Sequence, residues 1–177
     1  MIIPVSKWRK IWQAVEKKVT LIKTLIHTIL AHGILTVLVP RWLLFSPIGV
    51  YRFDIGIFRL VGVAPILLGA SIYLWCAWDF TFAGKGTPAP IDPPKQLVVR
   101  GLYRYVRNPM YVGLGSVLIG EAVLFQSLAL AAYVAAVLLV FSLFVVFYEE
   151  PALTRKFGES YRRYREAVPR WIPGIKR

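Results

Sequence analysis

Long apolar segments separated by short polar ones dominate this chain, and their lengths predict helices that cross a membrane. A helix needs about 20 mainly apolar residues to span the hydrocarbon core of a bilayer. Residues 19–39 and 60–78 meet this requirement, and the shorter segment 110–125 is followed, after two polar residues, by the long segment 128–148. The pattern predicts an all-α integral membrane protein with about four transmembrane helices, the last two forming a tight helical hairpin.

Amphipathic segments flank the predicted spans. Over residues 1–18, apolar residues recur at helical spacing and lysines take the other faces, which is typical of a helix that lies in the headgroup region. After the fourth span, Pro151 is expected to end the helix. Phe157, Tyr161 and Tyr164 then indicate a second amphipathic helix, which we expect to return along the surface and cover the loop before the hairpin.

The composition agrees with a membrane location. Of the 177 residues, 57% are hydrophobic, which is more than soluble domains contain. The only cysteine, Cys76, lies in an apolar segment without a neighbouring cysteine or histidine, so we expect neither a disulfide nor a metal site.

The chain is strongly basic, and its basic residues are unevenly distributed. Lys and Arg total 22 against 9 acidic residues; 19 of them lie near the N-terminus, in the loop before the hairpin and in the C-terminal tail, whereas 3 lie between the first two spans. Cytoplasmic segments of membrane proteins carry such an excess. We therefore expect cytoplasmic termini and no nucleic-acid partner.

One membrane domain, residues 1–177, follows from these observations. Its parts are the interfacial helix (1–18), the first two spans (19–80), a cytoplasmic loop (81–109), the helical hairpin (110–149) and a cytoplasmic tail (150–177).

The start of the third span has the residues of an anion-binding corner. Asn108 occupies the position of a helix N-cap and Pro109 that of the first helical residue. The unpaired amides of a helix start favour an anion, and Arg104 and Arg107 lie beside them. Nearby tyrosines offer flat surfaces for an aromatic ring, so the corner suits a ligand with an anionic and an aromatic end. The alternative is a capped helix with arginines that extend to the headgroups.

Two carboxylates, Glu149 and Glu150, lie at the inner end of the fourth span. Charges at a membrane boundary are costly, and they indicate a functional site by default. The alternative interpretation is that both are hydrated charges that pair with arginines.

Several motifs in the C-terminal half occur together in a known family. The sequence "GLYRYVRNPMYVG", an apolar hairpin, "EEPAL", "FGESYRRY" and "VPRWIP" follow one another between about residues 87 and 173. This order resembles the integral-membrane methyltransferases typified by isoprenylcysteine carboxyl methyltransferase and the phospholipid methyltransferase-like enzymes. The first two spans are similar only in character.

The resemblance implies a site for S-adenosylmethionine on the cytoplasmic side and a lipophilic or lipidated acceptor from the bilayer. Charge and sequence proximity add two residues, Arg107 and Glu150, to those that the resemblance implies. The family positions correspond here to Lys95, Gln96, Leu97, Val98, Tyr103, Asn108, Pro109, Met110, Tyr111 and Glu149.

Two departures from the family leave the acceptor open. Asn108 stands where the eukaryotic enzymes have a histidine, and Val145 stands where they carry an arginine for the acceptor carboxylate. Because Val145 lies four residues before Glu149 on the same helix face, we expect it to face the pocket beside Glu149. No catalytic base is evident. The main alternative is N-methylation of a phospholipid headgroup; a nicotinamide-dependent membrane reductase and a non-enzymatic membrane interaction subunit are further alternatives.

Overall fold

The computed structural model describes residues 28–79 and 97–174, together with five isolated positions nearer the N-terminus. The structural statements below concern these residues. Nearly all of the interfacial helix predicted over residues 1–18 lies outside this description, as do Lys95 and Gln96.

The regular structure of the described chain is helical. A first helical run contains two π-helical segments and ends in helix α1, and short 3₁₀ turns precede the later helices. In chain order, the elements are the π segments Thr28–His32 and Ile34–Leu38, α1 (Val39–Phe45), 3₁₀ turns Pro47–Val50 and Gly56–Gly62, α2 (Val63–Asp79), a 3₁₀ turn Gly101–Arg104, α3 (Pro109–Leu124), α4 (Leu128–Phe144), a π-turn Val145–Glu149, α5 (Glu150–Phe157) and α6 (Glu159–Ala167).

Two helical runs in the described part are long and apolar enough to cross a bilayer. They are Gly56–Asp79, with 24 residues, and Leu128–Phe157, with 30 residues. Two further apolar helices, Ile34–Phe45 and Pro109–Leu124, are shorter. The all-α prediction is therefore confirmed, with two candidate membrane-spanning helices.

Glycines bring α2 and α3 into close contact. Gly69 of α2 lies against Gly113 of α3, and Gly62, in the turn that leads into α2, lies against Gly120. A Cβ atom added to Gly120 would lie 2.5 Å from the carbonyl oxygen of Gly62 and 2.6 Å from Cγ1 of Ile66. Small residues allow the backbones of membrane helices to approach in this way. The two contacts fix the register between α2 and α3.

A cluster of apolar side chains connects α3 to α4 and α1. Its buried members are Leu118, Ala122, Leu130, Val134 and Val137, and Leu43 and Leu44 of α1 pack against them. The hydroxyl of Tyr133 on α4 also donates a hydrogen bond to the carbonyl of Leu35, at 3.0 Å, and so connects α4 to the first helical run.

The hairpin between α3 and α4 is closed by polar contacts at its tip. Gln126 adopts a positive φ of 54°. Ser127 caps α4 by accepting a hydrogen bond from the amide of Leu130, at 3.2 Å. The carbonyl of Gln126 accepts from the amide of Phe53 at 3.0 Å, and its side-chain oxygen accepts from Ile55 at 2.8 Å. The polar pair predicted to join the two helices therefore also holds the loop before α2.

The prediction that Pro151 ends the fourth helix is wrong. A π-turn precedes this residue, in which the amide of Glu150 donates to the carbonyl of Val145. Pro151 then occupies the first turn of α5, where a missing N–H group is tolerated. The helix continues to Phe157 and ends at Gly158, whose φ is 55°. Residues 149 and 150 consequently lie inside a continuous helix.

We expect Gly120→Ala to lower the temperature of thermal unfolding of the purified protein in detergent. The new methyl group would press on the backbone of Gly62, and overpacking of this kind costs about 1–3 kcal/mol. Gly33→Ala is the control, because a Cβ there meets no atom within 4 Å and its φ of −58° suits alanine. Equal unfolding temperatures for the two variants would contradict the close contact.

Candidate functional site

The candidate site lies at the start of α3. Pro109 is the first residue of this helix and Asn108 precedes it, as predicted. The Asn108 side chain makes no capping hydrogen bond; its amide donates instead to the carbonyl of Arg170, at 3.2 Å. The predicted helix start is therefore confirmed, and Asn108 ties it to the C-terminal tail.

Residues 168–171, here called the tail strap, follow α6 and cover the start of α3. The amide of Arg107 donates to the carbonyl of Pro169 at 2.9 Å, next to the contact between Asn108 and Arg170. The ring of Trp171 meets the ring of Tyr111 edge-on, with centroids 6.4 Å apart. The tail thus covers the corner that contains Asn108 and Tyr111.

Glu150 holds the tail strap through two arginines. Its carboxylate accepts two hydrogen bonds from Arg170, from Nε at 2.7 Å and from Nη2 at 3.0 Å. Nη1 of Arg107 lies 3.1 Å from Oε1 of the same carboxylate, and both of these side chains are less than 10% exposed. The hydrogen bonds to Glu150 raise the pKa of the Arg170 guanidinium. Both carboxylate oxygens of Glu150 are therefore engaged within the protein.

Glu149 has different surroundings. Its Oε2 accepts a hydrogen bond from the hydroxyl of Tyr111 at 2.9 Å. Among the described residues it forms no ion pair with a lysine or arginine, since both nearby arginines contact Glu150. The Tyr111 ring also packs at 4.8 Å against Phe141 of α4. Glu149 is thus a carboxylate beside aromatic rings, which favours a ligand group that is cationic or donates hydrogen bonds.

Tyr103 lies in the 3₁₀ turn that precedes the site. Its side chain is buried, and its hydroxyl forms a hydrogen bond with the thiol of Cys76 on α2. Its carbonyl accepts a hydrogen bond from the hydroxyl of Tyr164, at 2.7 Å. Burial raises the pKa of Tyr103 well above its ordinary value, so its hydroxyl remains neutral. Tyr103 therefore connects α2 to α6.

An ion pair that the sequence analysis missed fixes the segment before the site. Asp79, the last residue of α2, is buried, and its Oδ1 lies 3.0 Å from Nε of Arg100. Gly101 has a φ of 55°, and a Cβ there would collide with Oδ2 of Asp79. The available signal was a lone acidic residue at the C-terminal end of an apolar segment.

Apart from Lys95 and Gln96, the predicted site and corner residues divide into three groups. Leu97 packs with α6, and Val98 and Tyr103 are buried beside Cys76. Arg104 of the predicted corner and Tyr105, one of the tyrosines near it, are exposed instead. The structure brings the others together around the start of α3: Arg107, Asn108, Pro109, Met110, Tyr111, Glu149 and Glu150.

Three contributors to the site were not predicted, namely Arg170, Trp171 and Phe141. The first two lie in the motif "VPRWIP", which was noted only for its resemblance. Val145 was expected to face the pocket beside Glu149, but its side chain has 0% exposure and lines no open space.

Comparisons with known proteins agree on one family. Residues 57–160 match the profile described as phospholipid methyltransferase, which is more than half of the chain. A region of 79 residues is 38% identical to the Protein-S-isoprenylcysteine O-methyltransferase of Schizosaccharomyces pombe, and it covers 45% of this chain. The same region covers 34% of that relative, so the similarity spans about a third of its length.

Proposed function

Because the chain belongs to the phospholipid methyltransferase family, we propose that it is a methyltransferase that uses S-adenosylmethionine and acts on a lipophilic acceptor in the membrane. The observation that carries this proposal is the Glu149 carboxylate, which lies beside aromatic rings and has no basic partner among the described residues. S-adenosylmethionine carries an ammonium group and ribose hydroxyls, and each of these can donate a hydrogen bond to such a carboxylate.

The residues around Glu149 fit the other parts of the cofactor. The first turn of α3, which has no side-chain cap, suits the methionyl carboxylate. The rings of Tyr111, Phe141 and Trp171 suit the sulfonium or the adenine. Leu97 and Val98 are proposed to border the site, and Lys95 and Gln96 belong to the same proposal by family resemblance alone.

The contribution of the protein to methyl transfer would be alignment and exclusion of water. When bound, S-adenosylmethionine supplies an electrophilic methyl group that an acceptor displaces in line. Glu149 and Tyr111 would orient the donor through their shared hydrogen bond, and the tail strap would exclude water from the start of α3. We propose Glu150 and Arg107 as residues that position this strap instead of contacting the cofactor.

We expect Glu149→Ala to bind S-adenosylmethionine about ten- to hundredfold more weakly in calorimetric titration. Loss of a charge-assisted hydrogen bond typically costs about 1.5–3 kcal/mol. Glu159→Ala is the matched control, because Glu159 lies on the exposed face of α6 and should retain wild-type affinity. Glu150→Ala should instead lower the unfolding temperature, since it leaves the buried Arg107 without its counter-charge.

Each outcome of this titration has a distinct meaning. Wild-type affinity in a folded Glu149→Ala variant would remove Glu149 from the site. A wild-type protein that binds NADPH but not S-adenosylmethionine would favour the reductase alternative, and one that binds neither would favour a non-enzymatic subunit.

A second candidate function, N-methylation of a phospholipid headgroup, is favoured by the charges at the site. Arg107 and Arg170 are both engaged by Glu150, so neither offers a free guanidinium to clamp an acceptor carboxylate. The negative charge of Glu149 near the site also favours a cationic acceptor over an anionic one. An ammonium acceptor must lose a proton before it attacks, whereas a carboxylate needs no base.

We expect methyl-labelled cofactor and a native lipid extract to yield a labelled phospholipid. N-methyl groups keep their label in mild base, whereas carboxyl methyl esters release it as methanol. Base-stable label in the phospholipid fraction would support the second candidate. Base-labile label on an added prenylcysteine would contradict the argument from the engaged arginines.

For the topology we propose four spans, with both termini and the site on the cytoplasmic side. The exposed arginines of α6 lie at the same end of the helices as the candidate site, whereas Arg52 pairs with Ser127 at the hairpin tip, at the opposite end. Basic residues are more frequent on the cytoplasmic side of a membrane protein. In a Cys76→Ser background, Glu166→Cys should resist a membrane-impermeant thiol reagent in intact cells, and Arg52→Cys should react. Labelling of residue 166 from outside would contradict the orientation.

A further inference from the structure

The outer face of α5 and α6 carries a cluster of exposed basic side chains. Its members, here called the basic face, are Arg155, Lys156, Arg162, Arg163 and Arg165. The acidic residues exposed on the same two helices are Glu159 and Glu166. Glu159 lies 3.7 Å from Arg162 and 3.8 Å from Arg163, but all three side chains are more than 60% exposed, so these pairs are weak. The face therefore keeps a net positive charge.

The orientation of α6 is fixed by its opposite face. Tyr161, Tyr164 and Val168 are buried in one cluster, against which Leu153 and Phe157 pack. The hydroxyl of Tyr164 is further held by the carbonyl of Tyr103. Because these contacts bury the apolar side of the helix, its arginines face outward.

The position of the basic face, next to a candidate membrane-spanning helix, indicates which kind of partner it binds. Helix α5 is the end of the apolar helix Leu128–Phe157, and α6 begins two residues later. Within that helix, Phe147 and Tyr148 are exposed, 74% and 54% respectively, at positions where a membrane-spanning helix faces lipid. The basic face thus adjoins the exposed apolar surface of a candidate membrane-spanning helix, at the end of that helix.

We propose that the basic face binds the headgroups of anionic phospholipids in the membrane that holds the protein. The attraction is electrostatic: each Lys or Arg near an anionic leaflet contributes about fivefold to affinity, and arginine also donates paired hydrogen bonds to phosphate. The partner is distinct from any methyl acceptor, since the site at Glu149 attracts cations and the basic face attracts anions. Binding there would hold α6, and with it the tail strap, at a fixed depth relative to the bilayer.

Competition between two lipids tests the proposal. The full chain in detergent is offered equal amounts of phosphatidylglycerol and phosphatidylcholine, and native mass spectrometry counts the bound molecules of each. The wild type should prefer phosphatidylglycerol, and in the triple variant Arg162→Gln, Arg163→Gln, Arg165→Gln this preference should fall by about a hundredfold. The matched control replaces Arg41, Arg52 and Arg59 by glutamine, which removes equal charge elsewhere and should preserve the preference.

A variant of opposite effect keeps the test decisive if the triple variant unfolds. Glu159→Gln removes the acid nearest to Arg162 and Arg163 and should increase the preference for phosphatidylglycerol. Absence of a preference in the wild type, its persistence in the triple variant or its loss only in the control would each overturn the proposal. Displacement of phosphatidylglycerol by inorganic phosphate, or by an acidic protein or RNA, would also overturn it, because the partner would then not be the lipid.

Discussion

The carboxylate of Glu150 and its two arginines form the interaction on which the rest of the site depends. They join three segments that are distant in the sequence: the residues before α3, the end of the long apolar helix and the C-terminal tail. Burial of an ion pair alone is weak support for a fold, because desolvation offsets much of the attraction. Here the pairing with Arg170 is bidentate, and the backbone amide of Arg107 and the side-chain amide of Asn108 also donate hydrogen bonds to carbonyls of the tail strap. The arrangement therefore specifies where the tail lies.

Two adjacent glutamates consequently have different chemistry. Consecutive residues of a helix point in different directions, so Glu150 faces the arginines while Glu149 faces Tyr111. The Glu150 carboxylate is neutralised by arginines, whereas the described side chains leave the charge of Glu149 without a basic partner. If both had arginine partners, the site would offer a ligand little electrostatic attraction. The difference arises from the surroundings, since the residue type is the same.

Local rules recovered the parts of this site that depend on local sequence. The helix start at Pro109 follows from the preference of proline for the first helical position, and the burial of Tyr161 and Tyr164 follows from periodicity; both are confirmed. Contacts between distant segments were not predictable in this way. Arg170 looked like one more basic residue of the tail, because its pairing with Glu150 is set by tertiary packing. The π-turn that carries the helix past Pro151 leaves no pattern in the sequence, and Tyr103 lies in a segment too short for periodicity to assign a face.

The glycine contacts between α2 and α3 restrict the routes by which a lipid could enter the protein. Where Gly69 meets Gly113 and the two backbones touch, no gap remains that is wide enough for an acyl chain. At these contacts the seam between α2 and α3 is therefore closed to lipid. The flank of α4 differs, because it exposes apolar side chains such as Leu139 and Val140 ahead of the turn that contains Glu149. If a lipid binds with its headgroup near Glu149, its acyl chain would lie along α4. It would not pass between α2 and α3.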